Sequence, residues 1–240
     1  MLGETIEELR SAALAADDAS GHFPAMYARV THRIQAAVES GRFGDGSGMA
    51  HFATTFASWY LRPRAGVEPI PRSWQAAWAV GSDGRLLIVQ HLLLGINAHV
   101  NHDLAQAVVK VGDERGDLLA MRSDFDAVNA VLQDTMPAVL RDLGRASRWV
   151  NVAAERGGGR LFDFSLVAAR NQAWRFAERT YPLSAEARRR EAAALDDLVR
   201  VLAYMITTPG RPIPWLVRIG RWLEADDPRQ VTRDLLGPLA

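Results

Sequence analysis

Apolar residues recur along most of the chain at intervals of three and four positions, the pattern of helices that bury one face. In residues 23–40, for example, Met26, Val30 and Ile34 fall on one side of a helix. Few segments alternate apolar and polar residues as half-buried strands do. The pattern predicts an all-α fold, a bundle of roughly eight to ten helices with short connections.

Glycine, proline and short polar runs separate the predicted helices. The helices are expected at residues 2–16, 23–40, 51–61, a short helix capped by Ser73, 86–111, 135–154, 162–179, 185–205, 215–223 and 229–236, with an acidic segment at 113–131. No separator is long enough to divide the chain. Residues 1–240 are therefore predicted to form a single domain.

The composition of the chain excludes several kinds of cofactor and metal site. The chain has 48% hydrophobic residues, equal numbers of basic and acidic residues and no cysteine. Disulfides, thiolate zinc sites and iron–sulfur clusters are therefore excluded, so a bound metal would need nitrogen or oxygen ligands. A formal charge of zero gives no broad attraction to nucleic acid. An all-α fold also lacks the parallel sheet that binds NAD or flavin in Rossmann proteins.

The N-terminus is acidic and has no apolar core of a signal peptide, and no run of about eighteen apolar residues occurs in the chain. We therefore expect no membrane span and a cytoplasmic location. The segment from Trp215 to Trp222 is amphipathic, which favours closure of the bundle end and leaves contact with a membrane surface or with a homodimer partner as alternatives.

The predicted helix at 86–111 carries an unusual number of polar residues among leucines. They are Gln90, His91, Asn97, His99, Asn101, His102 and Asp103. At about 100° per residue, the three histidines and the aspartate share one face, and the amides lie on another. Buried imidazoles and carboxylates are costly unless they are paired, so this helix needs polar partners elsewhere in the bundle.

Three interpretations of the polar helix stay open. His99 with Asp103, one helical turn apart, could bind a divalent metal such as zinc, iron or manganese, with His32 or His51 as a third ligand. His91 lies roughly 12 Å from His99 along a regular helix, too far to share that ion. Without a metal, His99 and Asp103 would form an acid–base pair. A structural polar network is the third interpretation.

Residues 91–104 resemble an actinobacterial family of unknown function whose members carry a helix of the form H-L-L-L-G-[IM]-N-A-H-[IV]-N-x-D-L. Residues 27–31, 41–45, 56–60 and 169–174 are similar too. The resemblance implies no particular reaction. It matches His91, Asn97, His99, Asn101 and Asp103 to the family pattern. It places His102 at a variable position, which favours His99 and Asp103 as the central pair.

Residues outside this helix complete the predicted site. Arg170 and Trp174 lie one helical turn apart, so Arg170 could pair with Asp103 or hold an anionic substrate while Trp174 lines the pocket. Tyr60 belongs to an aromatic set that suits a pocket for an apolar ligand. In its glycine-rich loop, Asp45 is expected to cap a helix.

These observations predict an enzyme of the hydrolase, lyase or cyclase type that acts on a small, partly apolar metabolite. His99 and Asp103, with His91, are the expected catalytic residues. Asn97 and Asn101 are expected to position the substrate. The alternative is a non-catalytic helical protein that binds a small molecule or a partner, with the polar residues forming a structural network.

Overall fold

The computed structural model describes residues 2–147, 158–208, 220–222, 224–225 and 227–237. Its α-helices are α1 Leu2–Leu14, α2 His22–Glu39, α3 Gly46–Arg64, α4 Arg72–Trp78, α5 Ile88–Ala98, α6 Leu104–Arg115, α7 Arg122–Ala146, α8 Gly158–Thr180, α9 Ala185–Thr207 and α10 Pro228–Leu236. A π-helical stretch, His99–Asp103, joins α5 to α6 without a break, and we call it the π segment. Short 3-10 turns occupy Ala19–Gly21 and Leu119–Met121.

The all-α prediction is confirmed. With α5, the π segment and α6 taken as one continuous helix, the described part of the chain has nine helices, within the predicted range. Its β-structure is limited to one bridge, between Ser147 and Glu224.

The continuous helix at 88–115 lies at the centre of the bundle. It packs against α2, α3, α4, α8 and α9. Its apolar side chains enter two buried clusters: Leu94 lies with Trp74 in one, and Val108 lies with Phe125 in the other. Phe56 of α3 packs against both clusters. The polar side chains of this helix are therefore surrounded by apolar neighbours. Each of them needs a hydrogen-bond partner within the bundle to offset the cost of its burial.

The predicted boundary between residues 131 and 135 was wrong, because α7 continues through it from Arg122 to Ala146. The Thr135 hydroxyl donates to the Val131 carbonyl one turn earlier in this helix. Pro137 lies inside the helix, although it lacks the N–H that would continue the hydrogen-bond ladder. Residues 148–154 of the predicted helix at 135–154, and residues 215–219 and 223 of the predicted helix at 215–223, lie outside the described residues.

The prediction that Ser73 caps a short helix was also wrong. In the structure α4 begins after Pro71, and Ser73 lies within the helix. The cap comes from Asp196 of α9, whose carboxylate accepts from the Arg72 and Ser73 amides and the Ser73 hydroxyl at 2.7, 2.9 and 2.6 Å. This long-range cap fixes the start of α4, and with it the neighbouring Trp74.

Gly95 of α5 permits the close approach of α2. A Cβ atom placed on Gly95 would lie within 2.6 Å of three carbon atoms of Phe23. Phe23 in turn contacts the rings of Tyr60, Trp74 and His99. A side chain at position 95 would therefore displace an aromatic residue that packs against the polar centre of the bundle.

We expect Gly95→Ala to lower the free energy of unfolding by about 1–3 kcal/mol, because the added Cβ atom would overlap the ring of Phe23 and displace it from its aromatic contacts. Urea unfolding followed by tryptophan fluorescence measures this loss. Gly3→Ala is the matched control, since a Cβ atom at Gly3 in α1 meets nothing within 4 Å. Equal stability of the two variants would contradict the packing role of Gly95.

Candidate functional site

The π segment changes the direction of the side chains at the centre of the bundle. Its first carbonyl, at His99, accepts from the amide of Leu104 five residues later, instead of from the residue at the usual spacing of four. Residues 99, 102 and 103 are all buried there. Single turns of this kind occur frequently at functional sites. The local distortion therefore coincides with the polar group that the sequence singled out.

Asp103 is the centre of this group and is completely buried. Its Oδ2 accepts from Trp74 Nε1 at 2.8 Å and from His99 Nδ1 at 3.0 Å. Its Oδ1 accepts from His102 Nδ1 at 2.7 Å. Three donors thus satisfy both carboxylate oxygens. His99 Nδ1 and Asp103 Oδ2, the facing atoms of the predicted pair, therefore form a hydrogen bond with each other.

The protonation states follow from burial and from these bonds. Burial alone would raise the pKa of Asp103, but the bonds and charges of His102 and His99 hold that pKa below its usual value. Burial would lower the pKa of His102, but its bond to Asp103 and the Asp103 charge raise it above the usual value. Asp103 and His102 therefore form an ion pair.

His99 stays neutral beside this ion pair. Burial lowers the pKa of His99 and outweighs the opposing effect of Asp103. Because Nδ1 donates to a carboxylate, the ring is the tautomer whose Nε2 carries a lone pair. Nε2 is buried and has no hydrogen-bond partner among the described residues. The ring is stacked on Phe56, with centroids 3.7 Å apart, and meets Tyr27 edge-on.

A cavity of about 100 Å³ lies beside the His99 ring. α2, α3, α7 and α8 enclose it together with the central helix, and its wall is almost entirely apolar. The wall residues whose side chains carry oxygen or nitrogen are Tyr27, Thr31, His99 and Arg170. The Thr31 hydroxyl already donates to the Tyr27 carbonyl. The cavity suits a small apolar ligand with few polar groups.

The Nε2 atom of His99 belongs to a residue of the cavity wall, unlike the other buried side-chain atoms that lack a hydrogen-bond partner in the described residues. The described residues contain six buried side-chain atoms without a partner, in Thr54, Trp59, Tyr60, His99, Gln106 and Trp174. Of these residues, His99 alone lines the cavity. Among the described residues, His99 is therefore the one that both lines this cavity and carries a buried side-chain atom without a partner.

Arg170 reaches the cavity wall but does not bind Asp103. Its Nε donates to Asn129 Oδ1 at 2.8 Å, and its Nη2 donates to the Phe125 carbonyl at 2.5 Å. Trp174, one turn later, is fully buried against Phe125 instead of lining the cavity. Tyr60 is likewise buried outside the cavity wall.

The two asparagines lie apart from the cavity. Asn97 Nδ2 donates to the Val199 carbonyl of α9 at 2.9 Å, and Asn97 Oδ1 accepts from Asn101 Nδ2 at 2.9 Å. Neither lines the cavity wall. Their geometry ties the central helix to α9, while their expected contact with substrate stays a prediction.

His91 belongs to a different place in the fold. Its ring meets that of His22 at right angles, with centroids 6.1 Å apart. His22 Nδ1 lies 3.1 Å from Thr232 Oγ1, and both histidines line a second pocket of about 260 Å³. Burial, with help from His91, lowers the pKa of His22 to about 3. The structure therefore separates His91 from the His99–Asp103 pair.

The residues proposed as a third metal ligand also lie elsewhere. His51 is exposed and pairs with Glu114 at 2.7 Å, and His32 is partly buried but does not line the cavity. The described ranges contain no group of three or more histidine, aspartate and glutamate side chains placed to hold a metal. Asp45 does cap α3, accepting from the Gly48 amide at 2.8 Å.

Sequence reasoning missed the part that three residues play at this centre. The family resemblance set His102 aside, although the structure pairs it with Asp103. Trp74 and Phe56 were not singled out by the sequence, whereas in the structure Trp74 donates to Asp103 and Phe56 stacks on His99. The signal for His102 was its position next to a buried aspartate. Nothing in the sequence indicated which tryptophan would reach that carboxylate.

The fold and the site define an all-α protein with a buried histidine–aspartate pair beside an apolar cavity. Its sequence matches the model of a family of unknown function, DUF5995, over residues 2–209, and the chain belongs to that family. Comparison with curated proteins and with solved structures found no match. Among the described helices, none has the length and apolar character needed to cross a membrane.

Proposed function

We propose that this protein is an enzyme in which His99 acts as a general base on a small, largely apolar molecule bound in the cavity. One observation carries the proposal. The Nε2 atom of His99 is buried, has no partner among the described residues and belongs to a residue of the cavity wall. A buried lone pair without a donor is costly for a purely structural residue.

The arrangement fits proton transfer in three respects. The lowered pKa of His99 keeps Nε2 unprotonated at neutral pH. When Nε2 accepts a proton, the Asp103 carboxylate stabilises the resulting imidazolium through Nδ1. The ion pair with His102 keeps that carboxylate ionised and in place. Reactions of the hydrolase, lyase and cyclase types can use such a base in a shielded pocket.

A metal-assisted version of this enzyme would use Nε2 as the ligand atom of a divalent ion, with Asp103 orienting the ring from behind. Both Asp103 oxygens already accept hydrogen bonds, so Asp103 would not bind the ion directly. The geometry supports the acid–base version best, because a single free nitrogen is sufficient for it.

A probe reaction tests the base without knowledge of the natural substrate. In 5-nitrobenzisoxazole, a base removes the proton at C3, the N–O bond breaks, and a coloured nitrile-bearing phenolate is released. We expect the wild-type protein to accelerate this ring opening and His99→Gln to lose at least about 100-fold of the acceleration. Absorbance of the phenolate measures the rate, and a melting curve confirms that the variant is folded.

His32→Gln is the matched control, because His32 lies on α2 outside the cavity wall. It should retain the wild-type rate. Equal rates for wild type and a folded His99→Gln would reject His99 as the base. The non-catalytic alternative predicts that outcome, since in a structural network the Nε2 atom has no chemical task.

A further inference from the structure

Arg170 of α8 lines the cavity, and the proposed base mechanism does not use its guanidinium. Arg170 is 5% exposed and lies over the ring of Phe125, 4.3 Å from its centroid. Its two hydrogen bonds within the described part of the chain go to neutral acceptors, Asn129 Oδ1 and the Phe125 carbonyl. A guanidinium has five N–H donors, so several remain for a ligand.

Among the carboxylates whose side chains the structure describes, none is paired with Arg170. Asp126 acts on it electrostatically, but the Asp126 carboxylate pairs with Arg122 at 2.7 Å. Arg122 is itself a cation that acts on Arg170. Burial lowers the pKa of Arg170 to about 10, which still leaves it charged at neutral pH. A buried charge without a counter-ion is unfavourable, and an anion in the cavity would relieve that cost.

We propose that the ligand of this cavity is a small apolar molecule with one carboxylate, and that Arg170 binds this carboxylate. The planar guanidinium matches a carboxylate in shape and charge. The rest of the wall is apolar and would hold a hydrocarbon or aromatic body beside His99. This inference rests on the proposed function, because it takes the same cavity as the place where His99 acts.

The test compares two probes that differ only at one end, octanoate and octan-1-ol, by titration calorimetry on the full chain. We expect wild type to bind octanoate at least about tenfold more tightly than octan-1-ol, as a charge-assisted bond contributes. Arg170→Gln should abolish that preference. Arg175→Gln, an exposed arginine on the same helix, should keep it.

Equal affinity of the two probes for wild type, or a preference that Arg170→Gln retains, overturns the inference. If Arg170→Gln does not fold, the probe comparison on wild type and on Arg175→Gln decides. The two proposals fail separately. Ring opening that depends on His99 without an octanoate preference rejects only the carboxylate ligand. An octanoate preference without such ring opening rejects only the base.

Discussion

Replacement of Asp103 by alanine is expected to lower the free energy of unfolding by about 3–5 kcal/mol, the cost of breaking a buried ion pair by removing one partner. The carboxylate is completely buried and accepts from three donors. Without it, His102 loses its counter-ion and Trp74 loses its acceptor. Urea unfolding followed by circular dichroism measures the loss.

Asp134→Ala is the control, because Asp134 pairs with Arg42 on the surface and such pairs contribute little. A second variant separates charge from packing. Adding His102→Gln to Asp103→Ala removes the buried imidazole that has lost its acceptor and should restore part of the lost stability. A loss for Asp103→Ala no larger than for Asp134→Ala would show that the buried bonds contribute nothing.

The second large effect is a dependence of stability on pH that comes from His22. Its pKa is lowered to about 3 in the folded protein by burial, with the neighbouring His91 acting in the same direction and Asp18 opposing. The unfolded chain takes up a proton near the ordinary pKa of about 6.5. The contribution of His22 is therefore complete above about pH 6.5 and decreases as the pH falls toward 3, by a few kcal/mol.

This effect is isolated by a comparison of wild type with His22→Gln in urea unfolding at several pH values from 8 to 4. We expect the variant to be less stable at pH 8, since it lacks the ring that packs near His91 and Thr232. As the pH decreases, the difference between the two proteins should shrink. A constant difference across the range would contradict a buried neutral His22.

We expect replacement of Asp103 to affect mainly the stability of the protein and replacement of His99 to affect mainly the reaction. Asp103 accepts hydrogen bonds from three side chains, so its loss should destabilise the protein whether or not the site is catalytic. His99 donates once and keeps Nε2 free. Its replacement by glutamine should therefore cost less stability and affect the reaction more. This contrast makes His99 the more informative position for function.

The local spacing of apolar residues was sufficient to predict most of the helices. The spacing of Met26, Val30 and Ile34 predicted a helix at 23–40, and the structure has it at His22–Glu39. Ser184 caps α9 through its own side chain, as such a residue does before a helix. The cap of α4 comes from the distant Asp196, so the prediction that the local residue Ser73 caps this helix was wrong. A side-chain acceptor more than a hundred positions away leaves no local pattern.

The sequence by itself determined the helical class and the central helix, and it placed His99 and Asp103 one turn apart, because these features depend on periodicity and on local spacing. Only the tertiary structure decided the rest. The π segment, the bond from Trp74 to Asp103 and the neutral partners of Arg170 depend on which helices pack together. Burial then sets the charge of each group, and burial is a property of the whole bundle.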